Sequence, residues 1–137
     1  MKKQYIILST LIIGCFALLS MTVITNTLQD PWEVPSKYKN MENPYVNTDD
    51  EDNIGRILYS KHCKSCHGTK GKGDGKKAGS IDTPIGDFTD GSIKGQTDGA
   101  IYYKTFFGRD DMPGFKKKIS EEEDKWLVIN YVRKLGE

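Results

Sequence analysis

Cys63-Lys64-Ser65-Cys66-His67 is the stretch on which the reading of this 137-residue chain turns. Cysteines three apart on one helical turn point to the same side, and the residue after the second comes beneath them. Each sulfur can then add to one of two neighbouring vinyl groups, while the histidine brings a ring nitrogen to iron. C-x-x-C-H is thus the attachment pattern of c-type haem, here one haem held through Cys63 and Cys66. Zinc would need four ligands, and the local set is His62, Cys63, Cys66 and His67, six residues that cannot readily close a tetrahedron. A thioredoxin-like redox pair belongs beside a βαβ pattern, which the chain lacks. A covalent ring would also supply an apolar plane to a short domain, of a size that often needs a staple, metal or cofactor.

Iron has a second axial position. Met1 and Met21 fall in an apolar N-terminal run and Met41 in a Pro/Asn-rich stretch, which leaves Met112. It stands in Arg109-Asp110-Asp111-Met112-Pro113-Gly114-Phe115, where Pro and Gly set a tight loop able to present the thioether; core filling is the other reading of a methionine. With His67 and Met112 on iron, both axial positions are filled, which raises the potential and favours electron transfer over oxygen chemistry. The alternative is a haem enzyme or gas sensor with an open iron site, Met112 then belonging to the core. His62, adjacent to Cys63, is expected at the surface.

Around this centre the sequence predicts helices. Thr48-Asp49-Asp50-Glu51 has the form of a capping box and opens a helix carried by Ile54, Ile57 and Leu58 to about His62. Ser120-Glu121-Glu122-Glu123 repeats the form ahead of the stripe Leu127, Val128, Tyr131, Val132 and Leu135, with Gly136 as a stop. Asp98 to Phe107 reads as a shorter helix capped by Asp98 and ended by Gly108. No convincing strand appears, so the domain over 48–137 is expected to be all-α. Between Gly68 and Gly95 lie eight glycines in 28 residues, too many for a helix or strand interior, so something must organise that loop. Within it Gly73-Asp74-Gly75-Lys76 loosely matches a dinucleotide-binding fingerprint, but without the preceding strand that gives the fingerprint meaning.

The N-terminal end is of another kind. From Gln4 to Leu28 there are 25 residues without a formal charge, enough at about 1.5 Å per residue to cross about 30 Å of hydrocarbon. Lys2 and Lys3 precede this run and Asp30 and Glu33 follow it, so a single-pass transmembrane helix over 1–29 would export the rest to the periplasm or extracytoplasmic space. A cleaved secretory signal is one alternative. Another is a lipoprotein, since Ile12-Ile13-Gly14-Cys15 loosely resembles a lipobox that would place a lipid on Cys15. Residues 30–47, with Pro31, Pro35 and Pro44, read as a tether of up to about 60 Å, or as a segment wrapped along the domain or a partner.

Over about residues 48–137 the chain resembles the class I monohaem cytochrome c family, in its membrane-anchored bacterial respiratory form. The resemblance rests on Gly55 and Tyr59 in the first helix, Cys63 to Gly68, Met112-Pro113, and Val128 and Tyr131 in the last helix. It implies a small fold wrapped around one covalent haem c, with the first and last helices crossing at Gly55 and Tyr131. It also implies a loop proline whose carbonyl orients the iron-bound histidine through its other nitrogen, a role that falls to Pro84 in Thr83-Pro84-Ile85-Gly86-Asp87-Phe88, although this stretch departs from the mitochondrial pattern. Pro31-Trp32-Glu33-Val34-Pro35 with Asn43-Pro44 looks like the tether of membrane-bound cytochromes that accompany bacterial respiratory complexes, alternative complex III among them. The implied function is one-electron carriage in a respiratory chain between a donor and a terminal oxidase or reductase, as a free carrier or as a subunit of a multi-subunit complex, with no substrate bond broken.

Composition agrees. A net charge of +1, outweighed by Lys2 and Lys3 alone, carries no nucleic-acid signature. Three cysteines, one inside the apolar run, exclude a multi-bridge disulfide scaffold. Seven Lys or Arg in residues 56–77 and five in 104–118 flank the proposed ligands, while acidic groups cluster at Asp49 to Asp52 and Glu121 to Asp124. Such a charge dipole would steer an acidic redox partner to the basic side.

Overall fold

A computed structural model describes residues 31–137. The apolar run, its flanking lysines and Cys15 lie outside the described residues; among those described, no helix is long and apolar enough to cross a membrane. Among the described residues the helices are α1 (Ser36–Lys39), α2 (Ile54–His62), α3 (Lys64–His67), α4 (Asp98–Phe107) and α5 (Glu122–Leu135). Two 3-10 turns, Ala78–Ser80 and Phe88–Asp90, interrupt the long loop between α3 and α4. The domain is therefore mostly helical, with one departure from the all-α expectation. Gly108–Arg109 (β1) and Met112–Pro113 (β2) form a minimal antiparallel pair, in which Gly108 faces Pro113 and Arg109 faces Met112.

The helices stand where the apolar spacing predicts, but their starts differ. Thr48 does not cap α2, because it lies in a preceding turn, its N–H on the Tyr45 carbonyl, and the helix begins only at Ile54. Asp50 caps instead, its two carboxylate oxygens accepting from the amides of Ile54 (2.6 Å) and Gly55 (2.9 Å), while Asn53 takes a left-handed φ of 55° to bring the chain round. At α5 no capping box forms: Ser120 donates to the Glu121 side chain rather than serving the helix, whose acidic first turn favours the positive end of the dipole. For α4 the cap is Thr97, accepting from Ala100, and Asp98 is the first helical residue.

Helices α2 and α5 cross at Gly55. A Cβ there would overlap the Leu127 carbonyl of α5, so only glycine allows the two backbones this close. Tyr131, one turn on, packs its ring against Tyr59 at 5.2 Å between centroids. The apolar stripe of α5 proves broader than its sequence suggests. Besides Leu127, Val128 and Val132, Trp126 and Ile129 are fully enclosed, because α2 and α4 pack on different sides of the helix. Trp126 meets Tyr102 of α4 at 4.6 Å, and Tyr102 donates to Glu122, which also pairs with Lys125.

Residues 33–47 do not stand off as a tether. The compact unit begins at Glu33, so this stretch lies along the domain as a strap. Val34 is buried, and Tyr38 packs against Tyr103 and Phe107 at 4.9 and 5.1 Å. A side chain on Gly99 would collide with the carbonyls of Tyr38 and Met41, so α1 and its exit rest directly on the α4 backbone. Asn43 donates to both Asp98 (3.2 Å) and Asn130 (2.7 Å), and Asn130 in turn donates to the Tyr45 carbonyl. Asp98 also receives Arg133, which reaches the carbonyls of Ile93 (2.9 Å) and Gln96 (2.8 Å) and so fastens the approach to α4 onto α5.

Candidate haem site

The C-x-x-C-H residues occupy a corner rather than a continuous helix. Cys63 ends α2, donating to the Tyr59 carbonyl (2.8 Å), and then its own carbonyl accepts from Cys66 (3.1 Å) and His67 (2.9 Å) to close the single turn of α3. Gly68, at φ 81°, lets the chain leave that turn. Carbonyls at the end of so short a helix need donors, and the glycine-rich loop provides them. Gly73 donates to His67 (3.0 Å), Gly75 to Cys66 (3.1 Å) and Lys77 to Ser65 (2.8 Å). The fully buried Tyr59 closes the set, its hydroxyl donating to the Gly68 carbonyl at 2.7 Å. Burial, more than its neighbours, pushes the Tyr59 phenol well above its ordinary range, so it stays a donor. At Gly75 a Cβ would strike the backbone of Ser65 and Cys66. Glycine is needed there because the loop runs against the turn that carries the sulfurs.

The same loop brings Phe88 to His67. The Phe88 amide donates to the Gly71 carbonyl (2.7 Å), and the two rings stack 4.7 Å apart at 26°. Asp87 caps this turn by accepting from the Thr89 amide (2.7 Å) and hydroxyl (2.6 Å). Burial lowers the proton affinity of His67, which keeps the imidazole neutral, the form that binds metal. Its Nδ1 is enclosed without a hydrogen-bond partner. The Pro84 carbonyl therefore does not hold it, and Pro84 itself is exposed.

Cys63 and Cys66 are both free and half-buried. Burial, then the neighbouring Cys66, pushes the Cys63 thiol up to about 12, so it is no resting thiolate. A nucleophilic redox thiol would need the opposite. Among the described residues, no three His, Cys, Asp or Glu side chains gather as a metal site. His62, expected at the surface, is half-buried, with its Nε2 enclosed and its ring 5.6 Å from Phe115. Two cysteines outside any disulfide on one turn, followed directly by a half-buried histidine whose ring burial keeps neutral, are the donor set that a covalent haem requires, and the residues fit that group.

Met112 sits on β2, half-buried and paired with Arg109 across the hairpin. The strands are rooted by tight packing: Gly108 and Gly114 have no room for a Cβ, and Phe115 and Lys116 donate to the Thr105 and Phe106 carbonyls at 3.2 and 3.3 Å. At the turn, Asp110 adopts a φ of 51° and pairs with Arg109 (3.2 Å), while Asp111 accepts from both the amide and the hydroxyl of Thr83. That contact ties the segment of Pro84 to the segment of Met112.

Phe88, Asp87, the Tyr59 hydroxyl and the Thr83–Asp111 contact were not read from sequence as parts of the site. Two had a signal: Asp87-Phe88-Thr89 is an Asx-turn pattern, and Tyr59 stands four residues before Cys63 on the same helix face.

The family model described as "Cytochrome C oxidase, cbb3-type, subunit III" matches residues 50–132. No curated protein matches the chain. Among solved structures, a chain of the Kuenenia stuttgartiensis reducing HAO-like protein complex Kustc0457/Kustc0458 is similar at 27% identity and a TM-score of 0.58, over 71% of this chain and 50% of that one. The present chain thus spans half the length of that relative.

Proposed function

The chain belongs to the family described as cytochrome C oxidase, cbb3-type, subunit III, a cytochrome c domain whose role is electron transfer, and on that premise we propose that it is a membrane-tethered, extracytoplasmic one-electron carrier of a respiratory chain. When bound, haem c supplies a metal centre that accepts and returns one electron without proton or group transfer. Cys63 and Cys66 would hold the ring, and His67 and Met112 would bind its iron. The observation that carries this reading is the α3 corner, with two free cysteines, a half-buried neutral His67 and a glycine-rich loop bonded to the Cys66 and His67 carbonyls. Phe88 fixes the plane of the His67 ring, and the Tyr59 hydroxyl holds the exit of the turn.

The remaining parts rest on the sequence. The uncharged run from Gln4 to Leu28 anchors the domain as a spanning helix, or Cys15 anchors it through lipid, with the folded part outside the cytoplasm. Basic residues on both sides of the ligand segments fit an acidic redox partner, a donor or a terminal oxidase or reductase, within or beside a larger assembly. The solved relative, itself part of a protein complex, supports that last point.

The test is the visible spectrum of the reduced full-length protein with and without carbon monoxide. A low-spin c-type spectrum unmoved by the gas is expected. A shift on adding the gas would mean an accessible iron, and would put the haem enzyme or gas sensor first. Intact mass of the membrane-extracted protein, chain plus haem with or without lipid on Cys15, decides how it is anchored.

A further inference from the structure

The loop that carries Thr83 precedes α4 and the hairpin that carries Met112 follows it, and a side-chain contact between them spans 28 residues of sequence. Asp111 Oδ2 accepts from the Thr83 hydroxyl at 2.5 Å and from the Thr83 amide at 3.2 Å. Asp111 immediately precedes Met112, and Thr83 immediately precedes Pro84. We infer that Thr83 and Asp111 form a latch that sets the position of the Met112 thioether, making both of them positioning residues. The inference rests on the reading of Met112 as the distal ligand.

The argument is mechanical. At its root the hairpin is fixed to α4 by Gly108, Gly114 and the amides of Phe115 and Lys116. Met112 is carried two residues past the left-handed Asp110, where a strand of two residues offers little stiffness of its own. A carboxylate that takes two hydrogen bonds from one residue resists both sliding and rotation of the turn, and charge-assisted bonds are the stronger kind. The partner is also well chosen, since Thr83 lies in the loop that Phe88 and Gly73 bind to the His67 turn. The latch thereby references one axial ligand to the loop that supports the other. Neither side chain is part of the core, so its loss loosens Met112 without unfolding the domain.

The experiment uses the full-length haem-loaded protein and follows the thioether-to-iron charge-transfer band of the ferric form against rising pH, together with carbon monoxide uptake by the ferrous form. Thr83→Val and Asp111→Ala each remove one half of the latch. Each should lower the pH at which the band is lost by about one unit, a tenfold gain in the ligand-released form, and increase carbon monoxide uptake to match. The double variant should be no worse than either single one, and Thr83→Ser, which keeps the hydroxyl, should behave as the parent. A single cooperative urea transition in each variant, its midpoint lowered by no more than the tenfold gain in release accounts for, shows that the domain is intact. A band and gas uptake unchanged within twofold in both single variants would overturn the latch while leaving Met112 as ligand. A parent that lacks the band, or a Met112→Ala variant that retains it, would overturn the ligand reading and the latch with it.

Discussion

Replacing Gly55 with alanine tests the helix crossing on which the rest of the domain is hung. An added Cβ would stand 2.8 Å from the Leu127 carbonyl carbon and 3.2 Å from the Asp50 carboxylate, with the Leu127 oxygen closer still. Ordinary carbon contacts begin at about 3.5 Å, so the carbonyl carbon alone makes α2 and α5 part by roughly 0.7 Å and the nearer oxygen by more. In isolation the substitution favours the helix by about 1 kcal/mol. Against that, overpacking between two backbones costs about 1–3 kcal/mol and disturbance of the Asp50 cap about 1 kcal/mol. The net is a loss of about 1–3 kcal/mol, or roughly 5–15 °C in Tm for a domain of this size. Thermal unfolding of the haem-loaded protein reads it directly. Gly79→Ala is the control, because nothing lies within 4 Å of a Cβ there. If Gly55→Ala raised Tm as a substitution on an open helix face does, the close crossing and the α2–α5 packing built on it would be refuted.

Further outcomes follow from other contacts. Tyr59→Phe leaves the Gly68 carbonyl without its 2.7 Å donor in a buried site and should cost about 1–3 kcal/mol in urea unfolding; an unchanged midpoint would remove the hydroxyl from the support of the turn. Arg133→Met keeps the stem but frees Asp98 and the Ile93 and Gln96 carbonyls, for a loss of about 2–3 kcal/mol and faster amide exchange ahead of α4. Changing Lys116, Lys117 and Lys118 together to glutamate should slow reduction by an acidic partner about tenfold at low ionic strength and much less at high; equal rates would take these lysines out of the docking face. The Thr89 hydroxyl and amide hold the Asp87 carboxyl below its ordinary value of 3.8, so the cap contributes above that value and is lost as pH falls through the lower folded one. Ring-current shifts of Phe88 on His67 should weaken only below about pH 3.8, and Asp87→Asn should abolish that titration.

The long elements were legible because their signal is local. Ile54 and Leu58, or Val128 and Val132, recur at helix spacing, and Cys63 to His67 needs nothing beyond its own five residues. Other features depend on residues distant in sequence. Which side chain caps α2 is decided by the turn from Tyr45 to Asn53 that delays the helix start and brings Asp50 to it, and the two-residue hairpin exists because Gly108 and Gly114 fit against each other and α4. Pro31, Pro35 and Pro44 made the strap look like extended linker. Val34, Tyr38 and Met41 nonetheless have the four-and-three spacing of one helix face, and that was its readable sign. The site followed the same division: Cys63, Cys66, His67 and Met112 were named from motif and elimination, whereas Phe88 and Thr83 act through a loop whose path only the folded chain defines.

The strap lies outside the matched residues 50–132, and it changes how far an anchored domain can search. Eighteen extended residues would have given a leash of about 60 Å, but residues 33–47, folded into the compact unit, add none of their contour to it. The hemisphere that a tethered domain can sweep falls in volume as the cube of its reach. For a docking site inside that hemisphere the effective concentration rises by the same factor, whereas one mounted farther out is never met. For the anchored chain proposed above, membership of a fixed electron-transfer neighbourhood is thus a matter of leash length before it is one of affinity.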